Sequence, residues 1–213
     1  MTATPAAIDA LDLAALLCSR VCHDLISPVG AIVNGLEVYE EDNDEETKTF
    51  ALELIKKSAR TASARLQFCR LAFGAAGSAG AEIDLGDAEN MARGFIEDDK
   101  VKLTWNLPRL LLPKNRVKLL LNMLIIAAQT IPRGGTLVVD PEGTGSGTSF
   151  RIASRGPNSR VPPAIPGLLA GGDGDKPVDA HAIQPVYTGL LARSCGLAVT
   201  IAAEGDAVLT RAA

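Results

Sequence analysis

The stretch Leu11–Tyr39, LDLAALLCSRVCHDLISPVGAIVNGLEVY, decides how this chain folds. Leu11, Ala15, Cys18, Cys22, Leu25, Val29, Ile32, Leu36 and Tyr39 recur in alternating steps of four and three. That is the heptad spacing of a helix packed along a seam. At about 1.5 Å per residue such a helix runs roughly 45 Å. With about 100° between successive residues, Arg20, His23, Ser27, Gly30 and Asn34 share one face away from the apolar stripe. His23 follows the stripe position Cys22 and so points to solvent, with the small residues Ser27, Gly30 and Ala31 leaving room for another surface to approach. Pro28 stands five residues on. A proline inside a helix removes a backbone hydrogen bond and costs about 3 kcal/mol or more. A helix that tolerates this beside an exposed histidine marks a candidate functional site.

Working outward, Glu40–Glu46 (EEDNDEE) suits a turn and a new helix start, since acids sit well at the positive end of a helix dipole. A second stripe follows at Leu52, Ile55, Ala59, Ala62, Leu66, Cys69 and Phe73. The two stripes predict a helical hairpin. A pair of helices cannot surround its own seam, and two hairpins side by side close a four-helix bundle, so a homodimer is expected. The alternative is that the C-terminal half of the same chain covers the seam.

The composition divides at the same place. Residues 1–73 hold two of the 20 glycines and two of the 12 prolines, and the rest of the chain holds the others. Few of either permits long helices, while many of both call for turns. Gly74–Ala81 (GAAGSAGA) reads as a short flexible joint. The expected organisation is therefore a helical hairpin over residues 1–77 and a second domain over residues 82–213.

The 213 residues are 47% apolar and 22% charged, with 21 Lys+Arg against 25 Asp+Glu and a net charge of −4. This is unlike a disordered chain, and it lacks the basic excess of a nucleic-acid binder. The most apolar run, Val117–Ile131, is broken by Lys118, Asn122 and Gln129, which speaks against a membrane helix, and the acidic first residues do not resemble a signal peptide. A cytoplasmic protein with neither nucleic-acid nor membrane partners is expected. Four cysteines are too few for a disulfide scaffold. Cys18 and Cys22 fall on the stripe, where a free thiol packs as a small hydrophobe. His181 lies in a Pro/Gly-rich loop without a partner pattern.

His23-Asp24-Leu25-Ile26-Ser27-Pro28 resembles the phosphoacceptor box of two-component histidine kinases, which lies mid-helix in a dimeric four-helix bundle. The second half resembles the ATP-binding (Bergerat) domain of the same kinases in degraded form. Asn115–Gly135 is similar to the helix that carries the kinase N box and the turn after it, leading into a strand at Thr136–Asp140. Asn122 matches the first asparagine of that box. Ile126 stands at the second, and an isoleucine offers no oxygen to a metal ion. After the next strand, Ser149–Ala153, comes Ser154-Arg155-Gly156-Pro157-Asn158, without the aspartate that reads adenine. The lid region, Val161–Gly174, lacks the kinase Gly-x-Gly; Gly189–Leu191 fits the helix after it, and Ala198–Ala203 with Ala207–Arg211 a closing hairpin.

A kinase-like dimer without a working nucleotide site resembles the histidine phosphotransferases of alphaproteobacterial cell-cycle phosphorelays, over essentially the whole chain. The resemblance implies an α+β fold, the hairpin forming a dimeric four-helix bundle and the rest an α/β sandwich. It implies a shuttle in which His23 accepts phosphate from the receiver domain of a hybrid histidine kinase and passes it to response regulators, CtrA-like and CpdR-like. Asp24 would orient the imidazole and handle its proton. No cofactor or metal of its own is implied, because the Mg²⁺ that such transfers need sits in the receiver. Arg20, Ser27, Gly30 and Asn34 are the expected receiver contacts on the first helix. With the turn centred near Asp42, residues level with His23 fall around Arg60–Ser63, so Arg60 or Arg65 would steady the phosphoryl group or meet a receiver's acidic rim. Two other readings stay open: an ATP-dependent histidine kinase with a divergent nucleotide site, and a non-enzymatic dimeric adaptor for response regulators.

Overall fold

A computed structural model describes residues 8–74, 80–142, 149–172, 178–179 and 182–213. Most of the Gly74–Ala81 joint and His181 lie outside the described residues. Two long helices come first, α1 (Ala10–Glu41) and α2 (Glu45–Ala72). Asp9 caps α1 by accepting from the Leu11 amide at 2.8 Å, and Asp44 caps α2 by accepting from the Thr47 amide at 2.8 Å. The Thr47 bonds hold the Asp44 carboxyl below its ordinary range. Glu45 and Glu46 occupy the first turn of α2, as the acidic stretch predicts. Helix α1 runs through Pro28 unbroken and is long and apolar enough to cross a membrane by length and composition.

On α1 the two helices touch along a face other than the heptad stripe, whereas on α2 the stripe residue Ile55 packs against Gly35 and Cys69 is buried. Pro28 and Gly35 are the buried residues of α1, and Ala51, Ser58, Phe68, Cys69, Leu71 and Ala72 those of α2. Of the stripe, Leu11 is 81% exposed, and Val29, Leu36, Tyr39, Leu52 and Leu66 are also exposed, with Ile26 beside them 70% exposed. Cys18 and Cys22 are exposed in the single chain, on the same stripe of α1.

The second half begins with a small antiparallel pair, β1 (Glu82–Asp84) and β3 (Leu111–Pro113). Helix α3 (Leu85–Ile96) follows β1, capped by the Asp84 carboxylate. The main sheet comprises β2 (Val101–Trp105), β4 (Gly135–Glu142), β5 (Ser149–Arg155), β6 (Val199–Glu204) and β7 (Ala207–Ala212), in the order β2-β4-β5-β7-β6. Strand β2 runs parallel to β4 and every other pairing is antiparallel. Helices α4 (Lys114–Gln129), α5 (Ile165–Ala170) and α6 (Ile183–Ser194) complete the layer. The glycine pair after Pro132 is required by the turn: a Cβ on Gly135 would collide with the Arg155 carbonyl.

The hairpin and the sheet layer share one core. Phe68, Leu71 and Ala72 of α2 cluster with Leu85, Ala92, Leu119, Leu124, Leu137 and Phe150. The Phe68 and Phe95 rings stack at 4.0 Å between centroids. The end of α2 is held by α4 as well. Lys118 Nζ donates to the Gly74 carbonyl at 3.0 Å, and Asn122 Nδ2 donates to the Ala72 carbonyl at 3.0 Å. Carbonyls at a helix end have no intrahelical donor, and these two side chains supply one. Burial and the nearby Lys114 lower the Lys118 pKa from its ordinary value.

Candidate active site

His23 sits on the open side of α1, its side chain 75% exposed, in the middle of the helix. Asp24 comes next and turns inward, its side chain 12% exposed. The Asp24 carboxylate lies 3.5 Å from His23 Nδ1 through Oδ1 and 3.2 Å from Arg20 Nε through Oδ2. An ionised carboxylate can only accept, so the ring nitrogen beside it is favoured as the protonated one. Nε2 is then left with the lone pair. Arg20, one turn before Asp24, fixes the carboxylate without covering the imidazole.

From α2, Arg65 reaches across and its Nη1 donates to the Asp24 backbone carbonyl at 2.6 Å. The two helices therefore align around a turn near residue 44, and the level of His23 on α2 is Arg65 rather than Arg60–Ser63. This corrects the sequence reading. The acidic stretch locates the turn only to a few residues, and placing its centre at Asp42 moves the opposite level by about one turn. Arg60 is exposed, and five residues from Arg65 it stands about 7 Å away along the helix.

Below His23 a groove of about 260 Å³ opens between the helices, walled by Ser27, Pro28 and Ala31 of α1 and by Lys57, Thr61 and Arg65 of α2. Ser27 and Asn34 are exposed on the His23 side of α1, and a Cβ added at Gly30 would meet nothing within 4 Å. Arg20, Ser27, Gly30 and Asn34 thus stay on the face that the helical geometry gives them. The contribution of Lys57 and Thr61 was not legible, because it depends on the register between the two helices.

In the sheet layer, the position that the resemblance to kinases sets against a metal-binding asparagine is filled by packing. Ile126 is fully buried with Ile165 and Leu169 of α5 and with Ile201 and Val208. Asn122, the first asparagine of the box, is also fully buried, accepting from Gln184 Nε2 at 2.7 Å besides its bond to Ala72. Ser154 donates to the Ala127 carbonyl at 3.3 Å. Among the described residues no cluster of three or more His, Cys, Asp or Glu side chains is placed to hold a metal ion.

Comparisons with known proteins agree with this architecture. A family model described as the histidine phosphotransferase C-terminal domain matches residues 85–207. The chain belongs to the histidine phosphotransferase family, and phosphotransfer is its activity. It is 53% identical over 205 residues to the protein phosphotransferase ChpT of Brucella abortus (strain 2308), covering 96% of this chain and 97% of that one. It also matches a bacterial phosphotransferase solved at 1.7 Å, with 51% identity, a TM-score of 0.88, and coverage of 98% of this chain and 99% of that chain.

Proposed function

We propose that His23 is the phosphoacceptor of a cytoplasmic relay, receiving a phosphoryl group from a receiver aspartate of a hybrid histidine kinase and giving it to the receiver aspartate of a response regulator. The observation that carries this reading is the exposed His23 imidazole with the Asp24 carboxylate 3.5 Å from Nδ1. The Nε2 lone pair attacks phosphorus, the acyl-phosphate P–O bond breaks, and its electron pair stays on the receiver aspartate as a carboxylate. The phosphorylated ring gains positive character at Nδ1–H, which Asp24 stabilises. Delivery to the second receiver reverses these changes. Mg²⁺ comes with the receiver.

Arg20, Ser27, Gly30 and Asn34 flank His23, and with the groove beneath them they offer a receiver a surface of small residues and positive charge. A modest interface suits a transient encounter. Arg60 is left out of this contact. The exposed apolar residues of α1, with Leu52 and Leu66 of α2, support a homodimer whose second hairpin covers them and completes a four-helix bundle. The packing of Ile126 under α5, where a kinase would hold its metal, supports transfer without any autokinase activity.

Three assays test the reading. Phosphate passing from a phosphorylated receiver to the wild-type chain and not to His23→Ala is expected. Stable labelling of the chain by ATP and Mg²⁺ alone would instead favour the kinase reading, and regulation that survives His23→Ala would favour the adaptor.

A further inference from the structure

Pro28 has no N–H to donate to the carbonyl four residues before it, which belongs to Asp24. That carbonyl is the one to which Arg65 donates at 2.6 Å from the neighbouring helix. The proline and the arginine are therefore two halves of one device. The proline strips the backbone bond from the residue after His23, and the arginine replaces it with a charge-assisted bond from α2.

We propose that Arg65 is a positioning residue for phosphotransfer, acting through the Asp24 carbonyl that Pro28 leaves open; this rests on His23 being the phosphoacceptor. Three observations carry it. The carbonyl lies in the one turn of α1 from which proline has removed a bond. The Asp24 side chain is tied on its other edge by Arg20, so the residue that faces Nδ1 is anchored at both main chain and carboxylate. Arg65 also lines the groove under His23, where Pro28 forms the opposite wall. Without the arginine, the carbonyl keeps no donor from its own helix and the turn bearing His23 and Asp24 relaxes toward water. The imidazole then samples orientations in which Nε2 is not aimed at an incoming acyl phosphate.

The test is a double-mutant cycle in the full-length chain, read as rapid-quench transfer from a ³²P-labelled receiver domain that labels the wild type. Arg65→Ala should lower the rate constant at saturating receiver by about tenfold while the half-saturating concentration moves less than about twofold. Arg65→Lys, which keeps a cationic donor, should recover most of that loss. In the Pro28→Ala background the residue 28 amide bonds the Asp24 carbonyl, so adding Arg65→Ala should cost less than about threefold. Equal losses from Arg65→Ala with and without Pro28, or a loss confined to the half-saturating concentration, would overturn the proposal. The lysine variant and the cycle keep the answer clear should Arg65→Ala fold poorly. His23→Ala runs alongside: label retained there would sink the phosphoacceptor reading itself, a failure separate from that of Arg65.

Discussion

Gly35 and Ile55 pack so closely that a Cβ on Gly35 would stand 2.8 Å from Ile55 Cγ1 and 3.4 Å from the Ala51 carbonyl oxygen. This contact sets the distance between the two helices a few turns from His23. A larger residue at 35 has to push them apart. Gly35→Leu should lower stability by about 2 kcal/mol despite its better helix propensity, because overpacking outweighs the propensity gain. Denaturant unfolding measures this, and an unchanged midpoint would show the hairpin to be more plastic than its packing implies.

Asn122 holds three partners in a fully buried position: the carbonyls of Ala72 and Lys118 and the amide of Gln184. Asn122→Ala removes the donor to the end of α2 and leaves the Gln184 amide without its acceptor. A loss of about 2–4 kcal/mol is expected, well above that of a surface change. Hydrogen exchange should quicken both at the end of α2 and in α6, since the side chain joins them.

Ile126→Asn tests whether the packing at Ile126 is by itself what keeps nucleotide out. The variant restores the second asparagine of the box but buries an amide among Ile165, Leu169, Ile201 and Val208. Stability should fall by about 3 kcal/mol or more, with no gain in melting temperature on adding ATP and Mg²⁺. A melting temperature that rises with nucleotide would show that the pocket is latent rather than filled.

Cys69 gives a pH signature. Burial, with the negative charge of Asp24 added, pushes its thiol up from 9.0 to about 11. The folded state therefore keeps this proton where the unfolded chain gives it up. The contribution is whole below pH 9 and falls as pH rises toward 11, by on the order of 2 kcal/mol. Stability curves of the wild type and Cys69→Ala should accordingly converge between pH 9 and 11. Parallel curves over that interval would contradict the assignment.

The residues themselves make the helical hairpin and its turn readable, because heptad spacing and the acidic stretch are local signals. The strands Thr136–Asp140 and Ser149–Ala153 are readable through the resemblance, each found within a slightly longer strand. Three kinds of information were not. The stretch 82–113 carries β1, α3, β2 and β3, whose short runs and weak periodicity give no clear pattern. The pairing of Asp24 with Arg65 depends on how the turn sets the helices against each other, which the acidic residues leave open by several positions. Cys18 and Cys22 show the third: a stripe reveals that a face is apolar, and only the fold tells what, if anything, lies on it.

Because Phe68, Leu71 and Ala72 are built into the same cluster as the strands, the hairpin cannot be excised as a portable module. Cutting the chain after α2 would lay bare large apolar areas on both fragments and strip Lys118 and Asn122 of the carbonyls they cap. The molecule should melt in one cooperative transition, so damage far out in the sheet would be felt as a loss of the surface where His23 stands.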